Sequence, residues 1–212
     1  MLRKSALVLS VLQHPLLMPT YLFAILFFYA PIIVKPFPAE QALYILLAVF
    51  LTTFLLPMIS VVALRYAVWS TRGPVAALSM PTRQERVVPF FFTSLFYLIV
   101  TYMFVYKLRV STVLVVILAT ITAIIILTSA ITLLVKVSTH GVGSGAMVGF
   151  LIGLGIEYPE GALLLPLVMF VLIGGVVMSA QLYLNTHRPD SVLLGCLVGL
   201  TTSLSAMLAL VA

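Results

Sequence analysis

Three histidines, His14, His140 and His187, are the side chains of this sequence best suited to proton transfer or nucleophilic attack near neutral pH. Two of them sit among further polar groups. The stretch Lys136-Val-Ser138-Thr-His140-Gly141-Val-Gly143-Ser-Gly145 places a cation, a hydroxyl and an imidazole just ahead of a glycine-rich apolar run. A helix that starts there offers unpaired backbone N–H groups and the positive end of its dipole, and glycine lets an anion approach closely. Lys136, Ser138, His140 and Gly141 are therefore candidates for holding a phosphate-like group. The stretch Gln181-Leu-Tyr-Leu-Asn-Thr-His187-Arg188-Pro189-Asp190-Ser191 carries another imidazole. Asp190 or Ser191 can cap the helix that follows and Pro189 marks its start, which is the plainer role for Asp190. Arg83-Gln-Glu85-Arg86 supplies two guanidinium groups, partly neutralised by Glu85. His14, in His14-Pro15-Leu-Leu-Met-Pro19, is an auxiliary imidazole whose simpler reading is a proline-containing interfacial boundary. Neither a metal nor a cofactor is expected.

The elements that must position these residues are membrane helices. The chain has 212 residues, 63% hydrophobic and 8% charged, with a mean hydropathy of +1.28. Soluble domains carry about 25% charged residues, so this composition excludes a soluble enzyme, a disordered regulator and a nucleic-acid-binding domain. The net charge of +6 fits basic residues gathered at membrane boundaries better than a nucleic-acid partner. Cys196 is the single cysteine, so no intrachain disulfide forms. Spans of about 20 apolar residues are needed to cross roughly 30 Å of hydrocarbon. Seven stretches qualify or nearly do: 15–34, 41–64, 87–106, 110–135, 141–156, 161–186 and 191–212. The fifth is short and glycine-rich, which suits a tilted, partial or buried helix. The runs are continuously apolar rather than alternating, which favours helices over a barrel. The expected fold is thus an all-α polytopic bundle of six to seven transmembrane helices, a single membrane domain over 15–212. Residues 1–14 read as an N-terminal interfacial helix with Arg3 and Lys4 at the headgroups.

Parity of seven crossings sorts the polar residues by face. All three histidines, Ser138, Asp190 and 8 of the 11 Lys and Arg residues fall on one face. The other face holds Lys35, Lys107, Arg109 and the acids Glu40, Glu157 and Glu160. A full count of basic residues makes the histidine face cytoplasmic. Setting aside the anion-binding candidates Arg83, Arg86, Lys136 and Arg188 leaves four against three, which selects neither side. A charge at the centre of a span costs about 2.5–3.5 kcal/mol or more. That cost explains why charges sit at span ends but not why histidines share one side.

A Ser-x-His-Gly segment, two spans, and a second histidine at the head of the last span together resemble the type 2 phosphatidic acid phosphatase and vanadium haloperoxidase superfamily. Its motifs are Lys-x6-Arg-Pro, Pro-Ser-Gly-His and Ser-Arg-x5-His-x3-Asp. Val137-Ser138-Thr139-His140 is similar to the second motif, keeping its serine and histidine. Ser179 to His187 is similar to the third, with Gln181 at the arginine position, Ser191 at the aspartate position and Asp190 one residue early. Arg86 stands for the arginine of the first motif, with Pro89 displaced by two residues and Ser79 at the lysine position. The resemblance covers about 83–199.

What the resemblance implies is hydrolysis of a lipid phosphate, or of a polyprenyl phosphate or pyrophosphate, by a histidine nucleophile. His187 is then the nucleophile and His140 the general acid, with Arg83, Arg86, Lys136, Ser138 and Gly141 around the phosphoryl oxygens. Gln181, Asp190 and His14 are auxiliary. The implied partners are membrane lipids and a phosphorylated lipid or polyprenyl substrate, in a multi-pass protein of the bacterial inner (cytoplasmic) membrane. An alternative is a catalytically degenerate member of the same fold that binds anionic headgroups or partner proteins. A small transporter comes last, because the spans carry almost no mid-bilayer ionisable residue.

Overall fold

A helix crossing a bilayer satisfies its backbone hydrogen bonds internally, and the apolar runs of this chain fold accordingly. The computed structural model describes residues 8–35, 38–69, 84–108, 110–184 and 188–211, with the backbone alone for 65–69, 84–87 and 211. Seven of its helices are long and apolar enough to cross a membrane: α1 (Val8–Tyr29), α2 (Ala39–Leu64), α3 (Val88–Leu108), α4 (Thr112–Leu134), α5 (Thr139–Glu157), α6 (Leu164–Tyr183) and α7 (Pro189–Leu210). No strand occurs among the described residues. The chain is an all-α, multi-pass integral membrane protein.

The first helix departs from the boundaries read in the sequence. It begins before Pro15 and ends at Tyr29, and Pro31–Val34 forms a separate 3-10 turn after Ala30. Proline has no N–H and disfavours helix at the residue before it, so Pro31 closes the span that hydropathy alone would continue. Pro15 acts in the same way inside α1. His14 is extended (φ −61°, ψ 131°), its Nδ1 accepts from the Leu16 N–H at 3.3 Å, and Pro15–Leu17 forms a short 3-10 turn before the helix resumes at Met18. The Leu12 carbonyl at this break accepts instead from the Tyr21 hydroxyl at 2.7 Å. Pro15 therefore causes the break, and the Leu12 carbonyl and Leu16 N–H that it leaves outside the helix ladder are both hydrogen-bonded.

At the centre stands α5, the most buried of the seven helices. Gly141, Gly145, Gly149 and Gly153 recur every fourth residue along one face, and each lies against α7 so closely that an added methyl would overlap it. Gly195 and Gly199 of α7 answer from the other side, against the backbone of Ser138, Val142 and Ala146. The contacts advance in the same direction along both helices, which makes α5 and α7 parallel and places the starts of both at one end of the bundle. Small residues that let backbones meet are the main source of helix association where lipid is as apolar as the side chains. On the other side of α5, Gly174 of α6 packs on Ser144, while Pro15 and Met18 of α1 pack on Gly143.

A second set of contacts is polar. Across α3 and α4, Thr101 Oγ1 and Thr122 Oγ1 are 2.8 Å apart, Ser94 Oγ and Ser129 Oγ 3.3 Å. The Tyr97 hydroxyl donates to the Thr53 carbonyl of α2 at 2.9 Å. Leu22, Phe23, Leu26, Leu114, Ile117, Leu118, Phe150 and Leu154 fill the space between α1, α4 and α5.

Candidate functional site

The loop from α4 into α5 is tied down by one residue. Ser138 is fully buried and caps α5, its Oγ accepting from the Gly141 N–H at 3.3 Å. Its own N–H donates to the Ser191 carbonyl at 3.1 Å, and its carbonyl accepts from Val142 N–H at 3.0 Å. The cap is the expected device for a serine before a helix. The bond to Ser191 joins the segment that carries His140 to the segment that follows His187. Gly141 is committed as well: its N–H goes to the cap, and a Cβ there would lie 2.6 Å from the Val192 carbonyl oxygen.

His140, on the first turn of α5, turns towards α1. Its Nε2 lies 3.0 Å from the Ser10 carbonyl oxygen. A carbonyl only accepts, so Nε2 carries the proton and Nδ1 holds the lone pair in the neutral ring. His14 lies edge-on beside it, with ring centroids 6.2 Å apart, and its other neighbour is Phe54 of α2 at 6.1 Å. Gln181, buried near the end of α6, donates from Nε2 to the Ser10 hydroxyl at 2.9 Å. Residues from α1, α5 and α6 thus meet around Ser10, at the end of the bundle where α7 begins.

Of the remaining candidates, Lys136 and Asp190 are described with their side chains. Lys136 is half-buried in the connection between α4 and α5. Asp190 and Arg188 form an ion pair at 3.5 Å at the start of α7, with both side chains well exposed. A pair of this kind contributes about 0–1 kcal/mol. Asp190 also accepts from the Ser191 N–H at 2.9 Å. His187 and Arg83 lie outside the described residues, and for Arg86 only the helical backbone is described. Among the described residues no three His, Cys, Asp or Glu side chains converge, so the His14–His140 pair has no third metal ligand there.

Ser10 is the residue that sequence reasoning missed. Its signal was present: Ser10, Gln13 and His14 are spaced i, i+3, i+4 in an otherwise apolar stretch, the spacing of one helix face. Reading residues 1–14 as interfacial left that face without a partner. Comparison with family models, with curated proteins and with solved structures found no match.

Proposed function

We propose that the chain is a membrane phosphatase acting on a lipid phosphate, or on a polyprenyl phosphate or pyrophosphate, through a histidine nucleophile. The observation that carries this reading is the Ser138 N–H to Ser191 carbonyl bond. It joins the two segments similar to the second and third motifs of the phosphatase superfamily. The reaction then runs in two displacements. His187 attacks phosphorus in line and the bond to the lipid oxygen breaks, while His140 gives that oxygen its proton. Water next attacks the phosphohistidine, releasing phosphate and His187, and its proton returns to His140. Arg83, Arg86 and Lys136 counter the charge on the phosphoryl oxygens. An acyl or prenyl chain stays in the bilayer while its headgroup reaches the site at the membrane boundary.

A second reading, a non-catalytic member that binds anionic headgroups, is favoured by Gln181. It stands where the motif has an arginine, brings no charge, and is hydrogen-bonded to Ser10. One assay separates the two. Phosphate release from phosphatidic acid and from a polyprenyl pyrophosphate is measured in lipid nanodiscs for wild type, His187→Ala and His140→Ala. The phosphatase reading expects release by wild type and its loss in His187→Ala. Equal rates in all three proteins would remove it. Binding of phosphatidic acid without turnover, lost in Arg86→Ala, would establish the second reading instead.

A further inference from the structure

Ser10 receives two hydrogen bonds on two different oxygens. His140 Nε2–H donates to its carbonyl at 3.0 Å and Gln181 Nε2–H to its hydroxyl at 2.9 Å. The donors come from α5 and α6 and occupy the positions at which the resemblance has groups that face a phosphoryl group. Two neighbouring oxygens met by two converging N–H donors is also what a bound phosphoryl group presents.

The segment that delivers Ser10 is separated from the rest of α1 by the break at Gln13 and His14. Its outward side chains are apolar: Val8 is 58% exposed, Val11 68% and Leu12 56%, while Gln13 is buried. Its less exposed side is formed by Leu9, Ser10 and Gln13, two of them polar, and its apolar side is left to the membrane. The Tyr21 bond to the Leu12 carbonyl anchors the segment at the break, beyond which residues 8–11 extend.

From this geometry we infer that Ser10 is an internal stand-in for phosphoryl oxygens. Residues 8–12 occupy the anion site when it is empty, and an incoming phosphate group displaces them and takes over the hydrogen bonds of His140 and Gln181. The inference rests on the phosphate-ester reading above. Bonds from N–H to an anionic oxygen are about twice as strong as those to a neutral one, which sets the direction of the exchange. The exchange also frees the His140 Nε2 proton, otherwise held by a backbone carbonyl, for a leaving group.

The test uses the full chain in nanodiscs, as wild type and Ser10→Ala, and follows hydrogen exchange of the 8–13 amides. The arms are phosphatidylcholine alone, phosphatidylcholine with inorganic phosphate, and phosphatidylcholine with phosphatidic acid. Phosphate release from phosphatidic acid is measured alongside. Either phosphate source is expected to speed exchange over 8–13 in wild type. A response to both assigns the site to the phosphate group itself, and a response to phosphatidic acid alone assigns it to lipid-borne phosphate. Ser10→Ala loses the bond from Gln181, so it should exchange faster without phosphate and bind phosphate about fivefold more tightly, the factor for one neutral hydrogen bond. Exchange that ignores both sources while phosphate is still released overturns the stand-in and leaves the phosphatase reading intact. So does Ser10→Ala binding no more tightly than wild type. A responsive segment without hydrolysis overturns the phosphatase and keeps the stand-in. Indifference without hydrolysis overturns both.

Discussion

Substituting Gly145 by alanine tests whether the contact between α5 and α7 organises the bundle. The added Cβ would overlap the Cys196 carbonyl oxygen, and its next neighbours are further Cys196 backbone atoms. Backbone cannot rotate away as a side chain end can, so the two helices must part. Overpacking of this kind costs about 1–3 kcal/mol. Against it stands the gain of about 1 kcal/mol from replacing a helical glycine by alanine. The net expectation is destabilisation of up to about 2 kcal/mol. Gly175→Ala in α6 is the matched control, because nothing lies within 4 Å of its added Cβ. Only the propensity gain remains there, and the variant should be more stable by about 0.5–1 kcal/mol. Reversible unfolding in mixed detergent micelles, followed by far-ultraviolet circular dichroism, measures both. Gly145→Ala as stable as Gly175→Ala would refute the claim that the glycine face sets the distance between the helices.

Three further outcomes can be checked by the same unfolding measurement or by titration. Tyr97→Phe deletes the hydroxyl that reaches from α3 to the Thr53 carbonyl; bonds between membrane helices average about 0.6 kcal/mol and reach about 1.7, so a loss in that range is expected, and none at all would mean that the carbonyl finds another donor. Ser138→Ala removes the α5 cap and should cost about 1 kcal/mol; an unchanged stability would show that the Gly141 N–H bond to the serine hydroxyl does not hold the start of α5. Burial, with Glu157 and Glu160 beside it, raises the Tyr158 phenol above its ordinary value. The unfolded chain then loses its proton first, so stability present below about pH 10 falls as pH rises past it. Tyr158→Phe should flatten that fall, and an unchanged slope would show that other groups govern it.

Much of the architecture was legible along the chain. Span length and the scarcity of charge both follow from the cost of exposing backbone or charge to hydrocarbon, which each helix meets locally. The glycine ridge of α5 was readable as a packing face because its four-residue period needs only helix geometry. The first span was misplaced because hydropathy does not register a proline. Residues 30–34 are as apolar as the helix before them, yet Pro31 ends it. The partner of the ridge was not readable, since a period says that a face is small without saying which helix it meets. α7 is that partner: Val192, Cys196, Leu200 and Met207 lie on the ridge, and its own Gly195 and Gly199 lie against Ser138, Val142 and Ala146.

The candidate site divides in the same way. Residue types and parity assembled the three histidines, Ser138 and Asp190 as polar groups near one end of the spans, because alternation of crossings is topological and needs no packing detail; Gln181 entered only through the resemblance. What those groups do was decided in three dimensions. Ser138 is turned into its own helix as a cap, Gly141 is pressed on α7, and His140 and Gln181 both reach a serine more than a hundred residues earlier. Ser10 lies on the short helical stretch before Pro15, and Pro15 itself packs on Gly143 in the first turns of α5. A hydrogen bond is short-ranged and directional, so the partner of a polar side chain in a membrane bundle is chosen by helix packing rather than by sequence spacing.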